Sequence, residues 1–210
     1  MTPDDVDTEQ LLARVSRGDA GARQQLLARH RERLCRMVAI RLDRRLAARI
    51  DPSDVVQEAI LEAARLLPGY LVERPMPFYP WLRRLAWKRL LKLYQRHLAA
   101  QRRSVTREEC QLPLLADESA LELAGRLVAS GTSPSKRLLR EELRDRVQAA
   151  LSQLAEHDRE VLVLRFLEQL STSEMAAVLG ITEGAVKTRQ TRALDRLSRL
   201  LDDDPREHDS

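Results

Sequence analysis

Apolar residues recur at spacings of three and four along almost the whole chain, and this periodicity limits what it can fold into. Ala22, Leu26, Leu27, Leu34, Met37, Val38 and Leu42 form one such series. Val55, Val56, Ala59, Ile60 and Ala63 form another, and Leu139, Leu143, Val147, Leu151 and Leu154 a third. A period near 3.6 is that of an amphipathic helix and not of a strand. Composition agrees: glycine is scarce, at 7 of 210 residues, and aromatics are 3%, whereas sheets favour β-branched and aromatic residues. Leu, Ala, Arg and Glu, all strong helix formers, dominate. The expected fold class is all-α.

Punctuation divides the chain into two helical domains. A short helix starts near Thr8 and breaks at Asp19-Ala20-Gly21, and a long one follows to about Leu42. Asp51-Pro52-Ser53-Asp54 is a helix start, with Asp51 as cap, Pro52 in the first turn and Asp54 against the dipole. That helix is expected to end at Leu67-Pro68-Gly69. Residues 70–80, with three prolines, read as a loop. A further helix runs from Phe78–Trp81 to about Gln101. Periodicity fades over 102–134, where Pro113, Gly125 and Gly131 stand among acids such as Glu108 and Glu118. This segment reads as an interdomain linker, and a short helix around Leu121–Val128 is compatible with it. The domains are then 8–101 and 135–201.

The second domain ends in a helix-turn-helix pattern. Ser171 and Glu174 have the spacing of a capping box, Gly180 supplies a residue tolerant of positive φ, and Thr182 caps the last helix. That helix carries Lys187, Thr188, Arg189, Thr191 and Arg192, residues suited to base edges and phosphates in a major groove. A plain helical hairpin with a basic solvated face would show the same pattern.

Charge is segregated although the net is only +4. From Phe78 to Arg103 there are eight Lys or Arg and no acid, and five of the chain's seven aromatics lie between Phe78 and Tyr94. Rings interleaved with cations suit an unstacked single strand, with Phe78, Tyr79, Trp81 and Trp87 offering stacking surfaces and Arg84, Lys88 and Lys92 tracking phosphates. Core tryptophans beside solvated cations are the plain alternative. From Asp51 to Glu62 there are four acids and no base. This acidic helix face, with Asp54, Gln57 and Glu58, suits protein docking.

Other classes find little support. The cysteines, Cys35 and Cys110, stand alone, and the four histidines are scattered, so no metal site or cofactor is expected. The basic face has no carboxylate that could serve a nuclease, and no catalytic residue is assigned. The polar, acidic N-terminus does not read as a signal peptide, and no apolar run approaches the ~20 residues that span a bilayer. A cytoplasmic protein is expected. A dimeric helix-turn-helix regulator would explain the C-terminal pattern but not the Phe78–Arg103 segment.

Three of these segments, in this order, resemble the extracytoplasmic-function (ECF) sigma factors of bacterial RNA polymerase. DPSDVVQEAILEAARLL is similar to their polymerase-clamp docking region. FYPWLRRLAWKRLLKLYQRH is similar to the region that melts and reads the −10 element. VLVLRFLEQLSTSEMAAVLGITEGAVKTRQTRALDRL is similar to the −35-reading helix-turn-helix. The resemblance implies a transcription initiation factor, monomeric when free, whose partners are core RNA polymerase and promoter DNA, duplex and melted, with room for an anti-sigma factor. It implies docking through Asp54, Gln57 and Glu58, a base site backed by Trp81, a strand path along Trp87 and Lys88, and −35 reading by Lys187, Thr188, Thr191 and Arg192. The chain departs from the family in a proline-rich 70–77 loop that reads as longer than usual, in a polar Gln190 where an apolar residue is usual, and in a linker of about thirty residues.

Overall fold

The computed structural model describes residues 3–42, 44–101, 117–129 and 137–202. Cys110, His208 and most of the linker, Glu108 and Glu109 included, lie outside the described residues. Among those described, regular structure is helical throughout and no strand occurs. The chain forms two compact units, residues 1–112 and 113–210.

Among the described residues the first unit holds six helices: α1 (Pro3–Val15), α2 (Ala20–Arg29), α3 (Arg31–Arg41), the short α4 (Arg44–Ala47), α5 (Pro52–Glu73) and α6 (Phe78–Gln101). Helix α3 packs on α5 and α6, which also pack on each other, and α1 packs on α2. Leu26, Leu34, Met37, Val56, Leu82 and Leu90 are fully buried between them. The series expected as one long helix over 22–42 is broken at His30. His30 turns its ring inward to Thr8 Oγ1 at 3.3 Å and to the rings of Phe78 and Tyr79.

Helix α5 begins as its sequence dictates. The Asp51 carboxylate accepts from Ser53 N–H at 2.8 Å, and Pro52 opens the first turn. That backbone hydrogen bond holds the Asp51 carboxyl below its usual range. The helix does not end at Pro68, however. It continues to Glu73, and the expected 70–80 loop shrinks to Arg74–Pro77. An interior proline costs about 3 kcal/mol. Pro68 lies on the exposed side, while Leu67 and Tyr70 on either side are buried. Burial of a single leucine is worth about 1.5–3 kcal/mol, so tertiary packing offsets the local penalty. The helix closes at Arg74, in the left-handed region at φ 39°, whose N–H donates to Tyr70 O at 2.8 Å.

The second unit contains α7 (Asp117–Ala129), α8 (Arg137–Gln153), α9 (Glu156–Leu162) with a π-helical turn at Val163–Leu167, α10 (Thr172–Leu179) and α11 (Glu183–Asp202). Helix α7 comes from the segment that lacks clear periodicity in sequence. It packs along α8 and the π turn, burying Leu123 and Ala124. Arg126 joins it to that turn, donating to Glu122 within α7 and to Phe166 O at 2.8 Å.

Candidate nucleic-acid interface

The turn between α10 and α11 is built from local chemistry. Ser171 Oγ accepts from Glu174 N–H, and Glu174 Oε2 accepts from Ser171 N–H at 2.9 Å, a complete capping box. Gly180 closes α10 in the left-handed region at φ 66°, where a side chain would be strained. Thr182 Oγ1 then accepts from Ala185 N–H at 3.1 Å and starts α11.

Helix α11 buries Val186, Ala193 and Leu197 along one seam. Lys187, Thr188, Thr191 and Arg192 stand exposed away from it, while Arg189 and Gln190 are half-buried at its edges. The Thr188 hydroxyl donates to Gly184 O at 3.0 Å. With its proton so committed, Thr188 presents an acceptor oxygen and a methyl group outward. The exposed stripe therefore offers two cations, an acceptor and two methyl-bearing side chains, donors and acceptors of the kind that read base edges.

The aromatic segment of the first unit divides in two. Phe78, Tyr79 and Trp81, expected as stacking surfaces, are buried at 3%, 3% and 5% exposure. They pack with Tyr70 and His30 in one cluster, Tyr70 and Trp81 having ring centroids 4.6 Å apart. These three rings do not offer a face to a strand, because the chain's largest apolar groups are needed to close the first unit's core. Desolvation pushes the Tyr70 hydroxyl up to about 12, and the hydroxyl donates to Met76 O at 3.0 Å. Trp87 lies six residues beyond Trp81, on another side of α6, and is half-exposed. Arg84, Lys88 and Lys92 are exposed on the same helix.

Two arginines of α3, the half-buried Arg33 and the buried Arg41, pack against rings of α6 without having been evident in sequence. The Arg33 guanidinium lies 3.7 Å from the Tyr79 ring centroid, and Arg41 lies 5.2 Å from that of Trp87. Tyr94 OH donates to Arg41 O at 2.7 Å, tying α6 to the end of α3. Such contacts span some fifty residues of chain, and only the packing of α3 on α6 creates them.

On α5, Asp54, Gln57 and Glu58 are exposed, with Leu61 beyond them at 54% exposure. At 100° per residue these four fall within about 100° of arc, opposite the buried Ala59, Ala63 and Tyr70. Glu58 and Glu62 lie 3.1 and 3.7 Å from Arg89 of α6. Among the described residues no group of three or more His, Cys, Asp or Glu is placed to hold a metal ion, and no helix is long and apolar enough to cross a membrane. Cys35 is half-buried, and burial pushes its thiol up.

The chain is similar to several known proteins. The family model "Sigma-70, region 4" matches residues 144–197, from within α8 to within α11. The ECF RNA polymerase sigma-E factor of Escherichia coli strain K12 is 31% identical over 195 residues, covering 90% of this chain and 92% of its own. The RNA polymerase sigma-H factor of Pseudomonas aeruginosa is 28% identical, covering 92% of this chain and 93% of its own. CnrH, solved in complex with the cytosolic domain of CnrY, aligns over 97% of this chain and 99% of its own at 28% identity and a TM-score of 0.49. The match to the sigma-E factor covers 90% of the chain and so extends over both helical units, and on that evidence the chain belongs to the ECF family of RNA polymerase sigma factors, the initiation factors of transcription.

Proposed function

We propose that the chain binds core RNA polymerase through α5 and directs it to promoters, reading the −35 element as duplex with α11 and holding the melted −10 strand along α6. The observation that carries this reading is the stripe Lys187, Thr188, Thr191 and Arg192, exposed on a helix that follows a capped, glycine-closed turn. Helices so presented enter the major groove by their N-terminal half. Arg189, half-buried beside the stripe, supports its edge.

In this reading residues 8–101 dock and melt, 102–134 link, and 135–201 read the duplex, with α7 of the linker buttressing the last part. Asp54, Gln57 and Glu58 meet basic groups of the polymerase. Trp87, Arg84, Lys88 and Lys92 form the strand path, with Arg41 behind Trp87. Phe78, Tyr79 and Trp81 support that surface from within. The free chain is a cytoplasmic monomer, needs no cofactor, and can be held inactive by an anti-sigma factor.

The test is holoenzyme binding to a promoter duplex across a salt series, wild type against Lys187→Ala with Arg192→Ala. Where either side chain meets a base edge, its removal costs about 1–3 kcal/mol. Where it meets a phosphate, its removal lowers the salt slope by about one unit. Full affinity with an unaltered slope in the double variant contradicts α11 as the reader.

A further inference from the structure

We infer that Asp158 is a positioning residue for the reading helix, setting the roll of α11 through Arg196; the inference rests on the reading of α11 proposed above. Asp158 stands in the first turn of α9, and its side chain is 2% exposed. A carboxylate so deeply buried stays charged only if it is paired. Its Oδ2 accepts from Arg196 Nη1 of α11, and its Oδ1 lies 3.3 Å from Nε2 of the exposed His157. From α8, Arg146 donates to Leu201 O at 2.8 Å, near the end of α11. The C-terminal half of α11 is thus held at two points by directed polar contacts.

The rest of its seating is packing on α8, α9 and α10. The buried seam is Val186, Ala193 and Leu197, with only a methyl group at its middle. Apolar contact is non-directional, so a directed bond adds an angular restraint that this seam alone does not supply. Arg196 lies at the border of the seam, about 60° around the helix from Ala193 and about 40° from Arg192. A bond from a fixed carboxylate to that border sets the angle at which Arg192, Thr191 and Thr188 face outward. Arg146 cannot do so alone, since it grips a carbonyl near the helix axis at the far end.

Arg196 is half-exposed and cationic, so direct phosphate binding is the competing role. The two differ in what they change. A phosphate contact adds affinity on every sequence and contributes about one unit to the salt slope. A positioning pair adds nothing to the slope and acts on the sequence-reading contacts alone. Engaging a phosphate would also leave Asp158 buried without its guanidinium.

The experiment uses the full chain assembled with core polymerase. Two duplexes are compared, one selected from a random pool by the wild-type holoenzyme and a scrambled version of it. The variants are Asp158→Asn, Arg196→Gln, Arg196→Lys, the Asp158→Asn/Arg196→Gln double, and Lys187→Ala as a control on the reading helix. Discrimination between the duplexes is expected to fall about tenfold in Asp158→Asn and Arg196→Gln, the scale of one base contact. The double variant should lose no more than the worse single, and the salt slopes of the Asp158 and Arg196 variants should match wild type. Arg196→Lys keeps a charge opposite Asp158, so it folds even if Asp158→Asn does not, and it should lose discrimination partially. A slope lower by about one in Arg196→Gln, with discrimination intact, makes Arg196 a phosphate ligand and overturns the inference. Wild-type discrimination in both Arg196 variants overturns it too. If Lys187→Ala alone loses discrimination, only the positioning role falls; if no variant loses it and Lys187→Ala also keeps wild-type affinity and salt slope, the reading of α11 falls as well.

Discussion

Glu58 on α5 pairs with Arg89 on α6 at 3.1 Å, so the acidic face proposed for docking is joined to the basic helix proposed for the melted strand. The contact is weak as a source of stability. Glu58 is more than half exposed, and pairs of that kind are worth about 0–1 kcal/mol.

Charge reversal on α5 should therefore separate docking from folding. Asp54→Lys with Glu58→Lys is expected to abolish co-purification with core RNA polymerase. The helical circular dichroism and the melting temperature should stay close to wild type, because both side chains face solvent. Undiminished co-purification would remove α5 as the docking face.

The two tryptophans of α6 should behave differently. Trp81→Ala empties a site in the cluster of Tyr70 and Phe78, a change that costs about 3–5 kcal/mol and lowers the melting temperature sharply. Trp87→Ala removes a half-exposed ring and should cost far less stability. It should instead slow opening of the −10 region, since a base–aromatic stack is worth about 1–3 kcal/mol. Thermal melts report the first effect and permanganate reactivity of unpaired thymines the second. Wild-type opening by Trp87→Ala would exclude that ring from the strand path.

Much of this was legible where the determinants are local. Ser171, Glu174, Gly180 and Thr182 specify the turn before α11 within a dozen residues, and the structure makes each of the bonds their spacing implies. The six-residue interval between Trp81 and Trp87 places them on different sides of a helix, whatever surrounds it. Pro68 misleads for the opposite reason. Its penalty is local, but the burial of Leu67 and Tyr70 that overrides it depends on packing across the unit. The same holds for Arg33 and Arg41, whose places beside Tyr79 and Trp87 come from α3 lying on α6. Helix α7 is hard to read in sequence because Gly125 lies within it and Pro113 and Gly131 stand on either side; packing on α8 and the π turn, which buries Leu123 and Ala124, overrides those breakers.

Alkaline pH gives a test of the aromatic cluster. The Tyr70 hydroxyl is raised from 10.0 to about 12 by burial, so the folded state keeps a proton that the unfolded state loses first. Its contribution is whole below pH 10 and declines as pH rises from 10 toward 12. The loss is on the order of 2 kcal/mol over that window. Comparison with Tyr70→Phe isolates it, because phenylalanine lacks the titrating group. The stability difference between wild type and Tyr70→Phe should therefore shift in favour of the variant across the window. A constant difference would mean that Tyr70 titrates normally.

Gly180 tests the turn itself. At φ 66° a Cβ is strained although space around it is open, so Gly180→Ala should destabilise the second unit by about 1–2 kcal/mol. Gly184, on the helix and also uncrowded, should tolerate alanine without loss. Equal melting temperatures for the two variants would contradict the left-handed closure of α10.

The most direct test of promoter opening joins the chain to core RNA polymerase on a template whose transcript start has been mapped after overexpression. Core polymerase alone should leave the thymines near −10 unreactive to permanganate. Adding the chain should make them reactive, and the Asp54→Lys/Glu58→Lys variant should not. Absence of reactivity with the wild-type chain, or equal reactivity with the docking variant, would contradict promoter opening by polymerase held on α5.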